Sequence, residues 1–165
     1  DPADAEAHAA LAHMIGATGD LAHTEVEFDK ALDLNPNSAD LLTWYAGWAN
    51  SFGKGDKGAE AADRARRLNP NMPTWALGLY RYAYFMAGRV EDALRMQERT
   101  PRENYRRQDH IWHAMLLATI GRTDDAHAAV AIGNLAVTRG SATASSQFVG
   151  PAAIVLPLSL ARVTT

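Results

Sequence analysis

Two identical tetrapeptides, Leu34-Asn35-Pro36-Asn37 and Leu68-Asn69-Pro70-Asn71, stand 34 residues apart, and that interval constrains the chain more than any other feature. The same step taken backwards from Pro36 reaches Pro2, and glycines recur at Gly19, Gly53, Gly88 and Gly121, at spacings of 34, 35 and 33. Five residues past each glycine comes a small or short side chain: Thr24, Gly58, Ala93 and Ala126. A period in this range marks a stacked array, in which one unit cannot bury its apolar face alone and leans on its neighbours. The opening Asp1-Pro2 falls on the same junction, so the chain reads as a segment cut from a longer array.

Each unit makes sense as a helical hairpin. Its first half carries apolar residues at helical spacing, as in Ala7, Leu11, Met14 and Ile15, or Leu41, Leu42, Tyr45 and Ala49. A glycine then supplies the left-handed conformation that ends a helix. The second half restarts at once, as in Glu25 through Leu32, and Asn-Pro closes it, because the residue before proline is pushed out of the helical region. The expected helices span roughly 4–17, 21–34, 38–52, 56–68, 73–87, 90–99, 104–120 and 123–137. Small residues at the Ala93 and Ala126 points are expected to let paired helices approach closely.

This unit resembles the tetratricopeptide repeat, with its large residue, Leu-Gly-like pair, aromatic, Ala, aromatic, Ala and Pro at fixed offsets. In the first unit those points fall on His8, Leu11-Ala12, Ile15, Thr24, Phe28, Ala31 and Pro36, and in the second on Leu42, Tyr45-Ala46, Ala49, Gly58, Ala62, Ala65 and Pro70. His8, Thr24, Gly58 and Ala62 depart from the pattern, and the third and fourth units lose the closing proline. The wording Trp44-Tyr45-Ala46-Gly47-Trp48, Trp75-Ala76-Leu77-Gly78-Leu79-Tyr80 and Met86-Ala87-Gly88-Arg89 is similar, across residues 4 to 133, to the repeat regions that follow bacterial class III adenylate/guanylate cyclase domains. The resemblance implies an all-α, right-handed superhelix of about four antiparallel hairpins. Units are expected at about 5–38, 39–72, 73–104 and 105–137, followed by a small-residue linker and apolar tail over 138–165. It also implies a concave groove lined by the first helix of each unit. The groove-lining offsets fall on His13, then Thr43, Gly47 and Asn50, then Trp75, Tyr82 and Phe85 or Met86, then Ile111, Met115 and Thr119. That lining lacks the basic and asparagine clamp by which some tetratricopeptide domains hold a C-terminal carboxylate. It suits an apolar peptide or a neighbouring helix, while Trp75, Phe85 and Ile111 could equally be inter-repeat core. The implied function is a non-catalytic protein-binding scaffold in a larger bacterial signalling protein such as a cyclase, with homo-oligomerisation through the array or its tail as the alternative.

Composition narrows the partners. Sixteen Lys and Arg balance 19 Asp and Glu, so the basic excess that phosphate neutralisation requires is missing. With no cysteine there is neither a disulfide framework nor a thiolate metal site, which fits the cytoplasm. The longest apolar stretch, Phe148 to Val163, is interrupted by Pro151 and Pro157 and does not read as a membrane span. Asp33 to Asn37 resembles the start of a calcium loop, but Ser38 stands where glycine is needed and Trp44 where a bidentate glutamate is needed. Gly53-Lys54-Gly55-Asp56-Lys57-Gly58 has no Ser or Thr after its first lysine and no strand before it, so it reads as a hairpin turn. His110, His113 and His127 could in principle hold zinc, but lack a His-Glu-x-x-His arrangement. No nucleophile elbow or isolated carboxylate pair is present, and the expectation is no enzyme, no metal and no cofactor.

Two regions break the pattern. Thr100-Pro101-Arg102 arrives where the second helix of the third unit should still be running, so a short helix is expected there. Arg95, Arg99, Arg102, Arg106 and Arg107, punctuated by Glu98, Glu103 and Asp109, read as a solvated surface with local ion pairs or as a contact for an acidic partner. After Asp125 only Arg139 and Arg162 carry charge. The apolar tail is expected to bury itself on the last hairpin or in the groove of its own or a neighbouring copy, in the latter case making a homodimer.

Overall fold

Helix boundaries follow from local chemistry. The computed structural model describes residues 4–139, which form eight α-helices. These are α1 (Ala5–Gly16), α2 (Leu21–Leu34), α3 (Ala39–Trp48), α4 (Gly55–Leu68), α5 (Thr74–Met86), α6 (Val90–Glu98), α7 (Arg107–Thr119) and α8 (Thr123–Arg139). Among the described residues there is no strand, and no helix is long and apolar enough to cross a membrane. Asp4 caps α1 by accepting from the Glu6 and Ala7 amides, Asp20 caps α2 through the His23 amide, and Ser38 caps α3 through the Leu41 amide. The four periodic glycines all adopt the left-handed region, with φ between 71° and 87°, at the turn inside each hairpin. Only glycine takes that conformation without a Cβ penalty, which is why the period is written in glycines. Asn35 and Asn69 leave the helical region at ψ 77° and 87°, as the following prolines demand.

Two expected boundaries move. The third helix, expected to run to residue 52, turns into one 3-10 turn over Ala49–Phe52, tightening before Gly53. The helix expected from residue 104 begins at Arg107, because the chain after Pro101 first makes a 3-10 turn over Arg102–Asn104. Tyr105 then folds back, its hydroxyl donating to the Gln97 carbonyl at 3.1 Å. As expected, α6 is short, nine residues against fourteen for α2 and α4. α8 reaches Arg139, so residues 138 and 139 are helical instead of opening a linker. The rest of the expected linker and the apolar tail lie outside the described residues.

Successive helices pair as antiparallel hairpins, α1 with α2, α3 with α4, α5 with α6 and α7 with α8, and the hairpins stack through α3 on α5, α4 on α5 and α6 on α7. The core runs through the stack. Phe28 of α2 is fully buried, with Tyr45 and Trp48 of α3 each 6.2 Å away between ring centroids. The close-approach points Thr24, Gly58, Ala93 and Ala126 are all buried, as their small size requires. Gly16 is the tightest contact: a Cβ built there would lie 2.2 Å from the Trp48 ring, so only glycine lets that indole seat on α1. This is a helical superhelix made of stacked pairs.

Candidate binding groove

The first helices of the hairpins, α1, α3, α5 and α7, carry the candidate groove residues at matching register. His13, Gly47, Tyr82 and Met115 occupy one repeat position across the four units, separated by 34, 35 and 33 residues. Along α5, Trp75, Tyr82 and Met86 recur at intervals of seven and four, which places them on one helical stripe. Ile111 and Met115 form the corresponding i, i+4 pair on α7.

The structure divides these candidates by exposure. Trp75 is 45 % exposed, Met86 40 % and Ile111 58 %, whereas His13, Gly47, Asn50, Tyr82 and Met115 are half-buried. Thr43 is only 3 % exposed. Its hydroxyl lies 2.7 Å from the Ala39 carbonyl, to which it donates, and 2.6 Å from the Tyr80 hydroxyl, which then donates to it. Thr43 therefore ties α3 to α5 and offers no side-chain surface to a ligand. Gly47 faces Leu79, whose Cδ2 would be 2.8 Å from an added Cβ, so its smallness serves helix packing first.

Aromatic contacts knit the lining. The His13 ring meets Trp44 edge-on at 4.5 Å, and Trp44 stacks on Trp75 at 4.8 Å with 21° between planes. Trp75 thus keeps one face on Trp44 while nearly half of it meets solvent. His13 Nδ1 accepts from the Trp48 indole N–H at 3.1 Å, so the ring proton sits on Nε2, which is buried without a partner. Burial holds the pKa of His13 below its ordinary value. Farther along, Asn50 donates to the Tyr82 hydroxyl at 3.2 Å, and Tyr82 and Phe85 both meet Trp112 edge-on, at 6.4 and 5.4 Å. Phe85 is half-buried and Thr119 is exposed.

Beneath the groove lies a polar layer that the sequence reading passed over. Arg81, 8 % exposed, occupies the position held by Ala12, Ala46 and Ala114 in the other units. It donates to Gln97 and to Asp109 (3.0 Å), and its guanidinium lies 4.8 Å from the Trp112 ring centroid. Gln97 in turn replaces Phe28 at its register position. The paired departure, arginine in a small slot with glutamine in an aromatic slot 16 residues later, was the available signal. A second network joins α4, α5 and α6: Asp63 receives Arg89 at 2.7 Å and the Tyr84 hydroxyl at 2.7 Å, and Arg66 donates to that hydroxyl at 3.0 Å. Burial pushes the Tyr84 phenol up to about 12. Burial also pushes the Asp63 carboxyl up, but the bonds from Arg89 and Tyr84 outweigh it and leave the pKa low.

The histidines considered for zinc are spread apart. His110 and His113 are buried against Tyr105, at 5.2 and 5.7 Å between ring centroids, while His127 is exposed on α8. Among the described residues no three His, Asp or Glu side chains converge as metal ligands would. In the basic stretch, Arg95 pairs with Asp92, Asp109 is taken by Arg81, and Arg99, Arg102, Arg106 and Arg107 are exposed.

No protein-family model matches the sequence, and no curated protein matches it. Solved structures do. MamA superposes with a TM-score of 0.70 at 15 % identity, covering 88 % of this chain and 81 % of that one. YrrB, described as a TPR protein with an unusual peptide-binding site, gives 0.66 at 18 % identity, covering 81 % of this chain and 69 % of that one. PilF of Pseudomonas aeruginosa gives 0.62 at 21 % identity, covering 81 % of this chain and 62 % of that one. The fold is that of a tetratricopeptide-type superhelix. At these identities the likeness speaks for the fold. Among the candidate residues, Trp75, Met86 and Ile111 give exposed apolar surface, and none is an Asp, Glu, Lys or Arg.

Proposed function

We propose that the array is a non-catalytic scaffold that binds an extended protein segment along the first-helix face, through apolar and aromatic side chains. The exposed stripe of Trp75, Met86 and Ile111, at the register where the repeat presents its lining, carries this reading. A contiguous apolar patch left in solvent on a rigid helical frame is a common mark of an interaction surface. Methionines adapt to varied apolar shapes, and Trp75, held by its stack on Trp44, is a preorganised anchor. The peptide-binding site in the printed description of YrrB supports a peptide as the class of partner. The resemblance of residues 4 to 133 to cyclase-linked repeats supports placing the array in a bacterial signalling protein, working in the cytoplasm.

Peptides selected from a random displayed library against the full chain test this. Selected peptides should be rich in aromatic and branched apolar residues. Met86→Asp and Ile111→Asp should each weaken them at least about tenfold, as loss of a buried apolar anchor does. Selected peptides whose affinity is unchanged by both substitutions would contradict it.

A further inference from the structure

The fourth unit opens on a basic segment whose charges the fold leaves unpaired. Over residues 99–108, Arg99, Arg102, Arg106 and Arg107 stand against a single carboxylate, Glu103, in a chain whose formal net charge is -3. All four arginines are exposed, and among the described residues none of them forms an ion pair. The neighbouring acids are engaged elsewhere. Asp92 pairs with Arg89 and Arg95, Asp109 pairs with Arg81, and Glu98 lies 4.0 Å from the Nε2 of His113. Residues 140–165 hold no Asp or Glu, so no side chain there neutralises the cluster. Repeat register shows that the hairpin does not require these charges. Arg106 and Arg107 stand where α1 has Asp4 and Ala5, α3 has Ser38 and Ala39, and α5 has Pro73 and Thr74. Asp4 and Ser38 cap their helices with side-chain oxygens, a task that an arginine cannot perform. A cation in the first turn also opposes the helix dipole, so the pair works against the helix it opens.

We propose that Arg106 and Arg107 receive an acidic side chain of the segment bound in the groove, so that the partner is an apolar peptide flanked by Asp or Glu; this rests on the groove being the binding surface. Arg107, Ile111 and Met115 follow one another at four-residue steps along α7, which places them on one face of that helix. Ile111 is 58 % exposed and none of the groove candidates is charged, so Arg107 sets the sign of the charge at that end of the stripe. Arg99 and Arg102, in the connection leading to α7, add to a positive field that draws an acidic segment in and turns a basic one away. A guanidinium also matches a carboxylate geometrically, through two parallel N–H donations. An apolar peptide without an acid gains nothing from these arginines, and an acidic one without an apolar anchor gains only screened surface contacts. The two together set direction, because the carboxylate fixes which end of the segment lies at α7.

Selection from a random displayed peptide library tests this, run once against the full chain and once against its Arg106→Gln, Arg107→Gln double variant. Both sites are exposed, so the substitutions leave the core intact. Peptides selected on the unaltered chain should carry Asp or Glu at a fixed spacing from their apolar residues. On the double variant the acidic position should vanish while the apolar ones persist. A synthetic peptide from the first selection should bind the double variant about fivefold more weakly, a loss that fades with added salt as exposed ion pairs do. Replacing its acid by the corresponding amide should cost as much on the unaltered chain and nothing further on the double variant. Apolar peptides with no acidic position overturn this inference and leave the groove itself standing. Peptides whose affinity ignores both Met86→Asp and Ile111→Asp remove the groove, and this inference with it. An acid whose replacement costs the same in both proteins also overturns it, as does a poly(dT) oligonucleotide that binds through these arginines more tightly than the peptide.

Discussion

Trp48 shows how one side chain orders its surroundings. Its indole rests where Gly16 leaves no Cβ, stacks on Phe52 at 6.4 Å, and donates to His13. Gly16→Ala must displace that ring or bend α1, and should cost about 1–3 kcal/mol, the usual range for overpacking. Thermal unfolding followed by circular dichroism measures the loss, and an unchanged midpoint would mean the indole is not seated there. The histidines give a pH signature. Burial depresses the pKa of both His13 and His113 below 6.5, with Arg102 adding repulsion at His113 against a smaller opposing pull from Glu98. The unfolded chain then takes up protons that the folded chain refuses. Their contribution is intact above the unfolded value and is lost as pH falls through 6.5 towards the folded values. Imidazole titration by NMR should place both below the ordinary histidine value, and His113→Gln should flatten the fall in urea stability between neutral and mildly acidic pH. Titration of both at or above 6.5 would refute this. His13 and Thr43 also show what was legible at this scale. Offsets alone placed both on the lining, but a hydroxyl's choice between solvent and Tyr80 depends on a residue 37 positions away, which no local pattern encodes.

At the scale of the helix, the hairpins were readable because their punctuation is chemical: glycine forced to positive φ, asparagine forced out of the helix by proline, and a cap at Asp4, Asp20 and Ser38. The third unit was harder, because its departures compensate one another. Arg81 sits in an alanine slot of α5, Gln97 in an aromatic slot of α6, and Asp109 on α7 completes the set, so three elements are held by one buried cation. Burial pulls the Arg81 pKa below its ordinary value, and the Asp109 carboxylate opposes part of that pull. Removing one member of such a buried set is costly. Arg81→Ala should lose about 3 kcal/mol, leaving Gln97 and Asp109 without their donor. Arg81→Ala combined with Gln97→Phe restores the small-and-aromatic pairing of the first unit and should recover a large part of that loss. Urea unfolding of the two variants measures this, and a double variant no more stable than the single one would show that the polar set does not substitute for the repeat's apolar pairing.

For the whole molecule, the stack is a one-dimensional object in which each hairpin touches its neighbours, so the same positions are core inside and surface at the ends. Length and period carried that architecture in the sequence. Which aromatic residues face outward was not carried, because each first helix is flanked on two sides and exposure depends on how neighbouring units cover it. Trp75 and Ile111, for which core and groove both stood open, prove exposed, while Phe85 is half-buried against Trp112. The outward stripe is the proposed binding surface, and methyl NMR can read it residue by residue, because the stripe and its controls carry the same probe groups. On titration with a selected peptide, the methyls of Met86, Ile111 and Met115 should shift, and those of Met14 and Ile132, exposed elsewhere in the array, should stay in place. Shifts at Met14 or Ile132 with Met86, Ile111 and Met115 unmoved would contradict it.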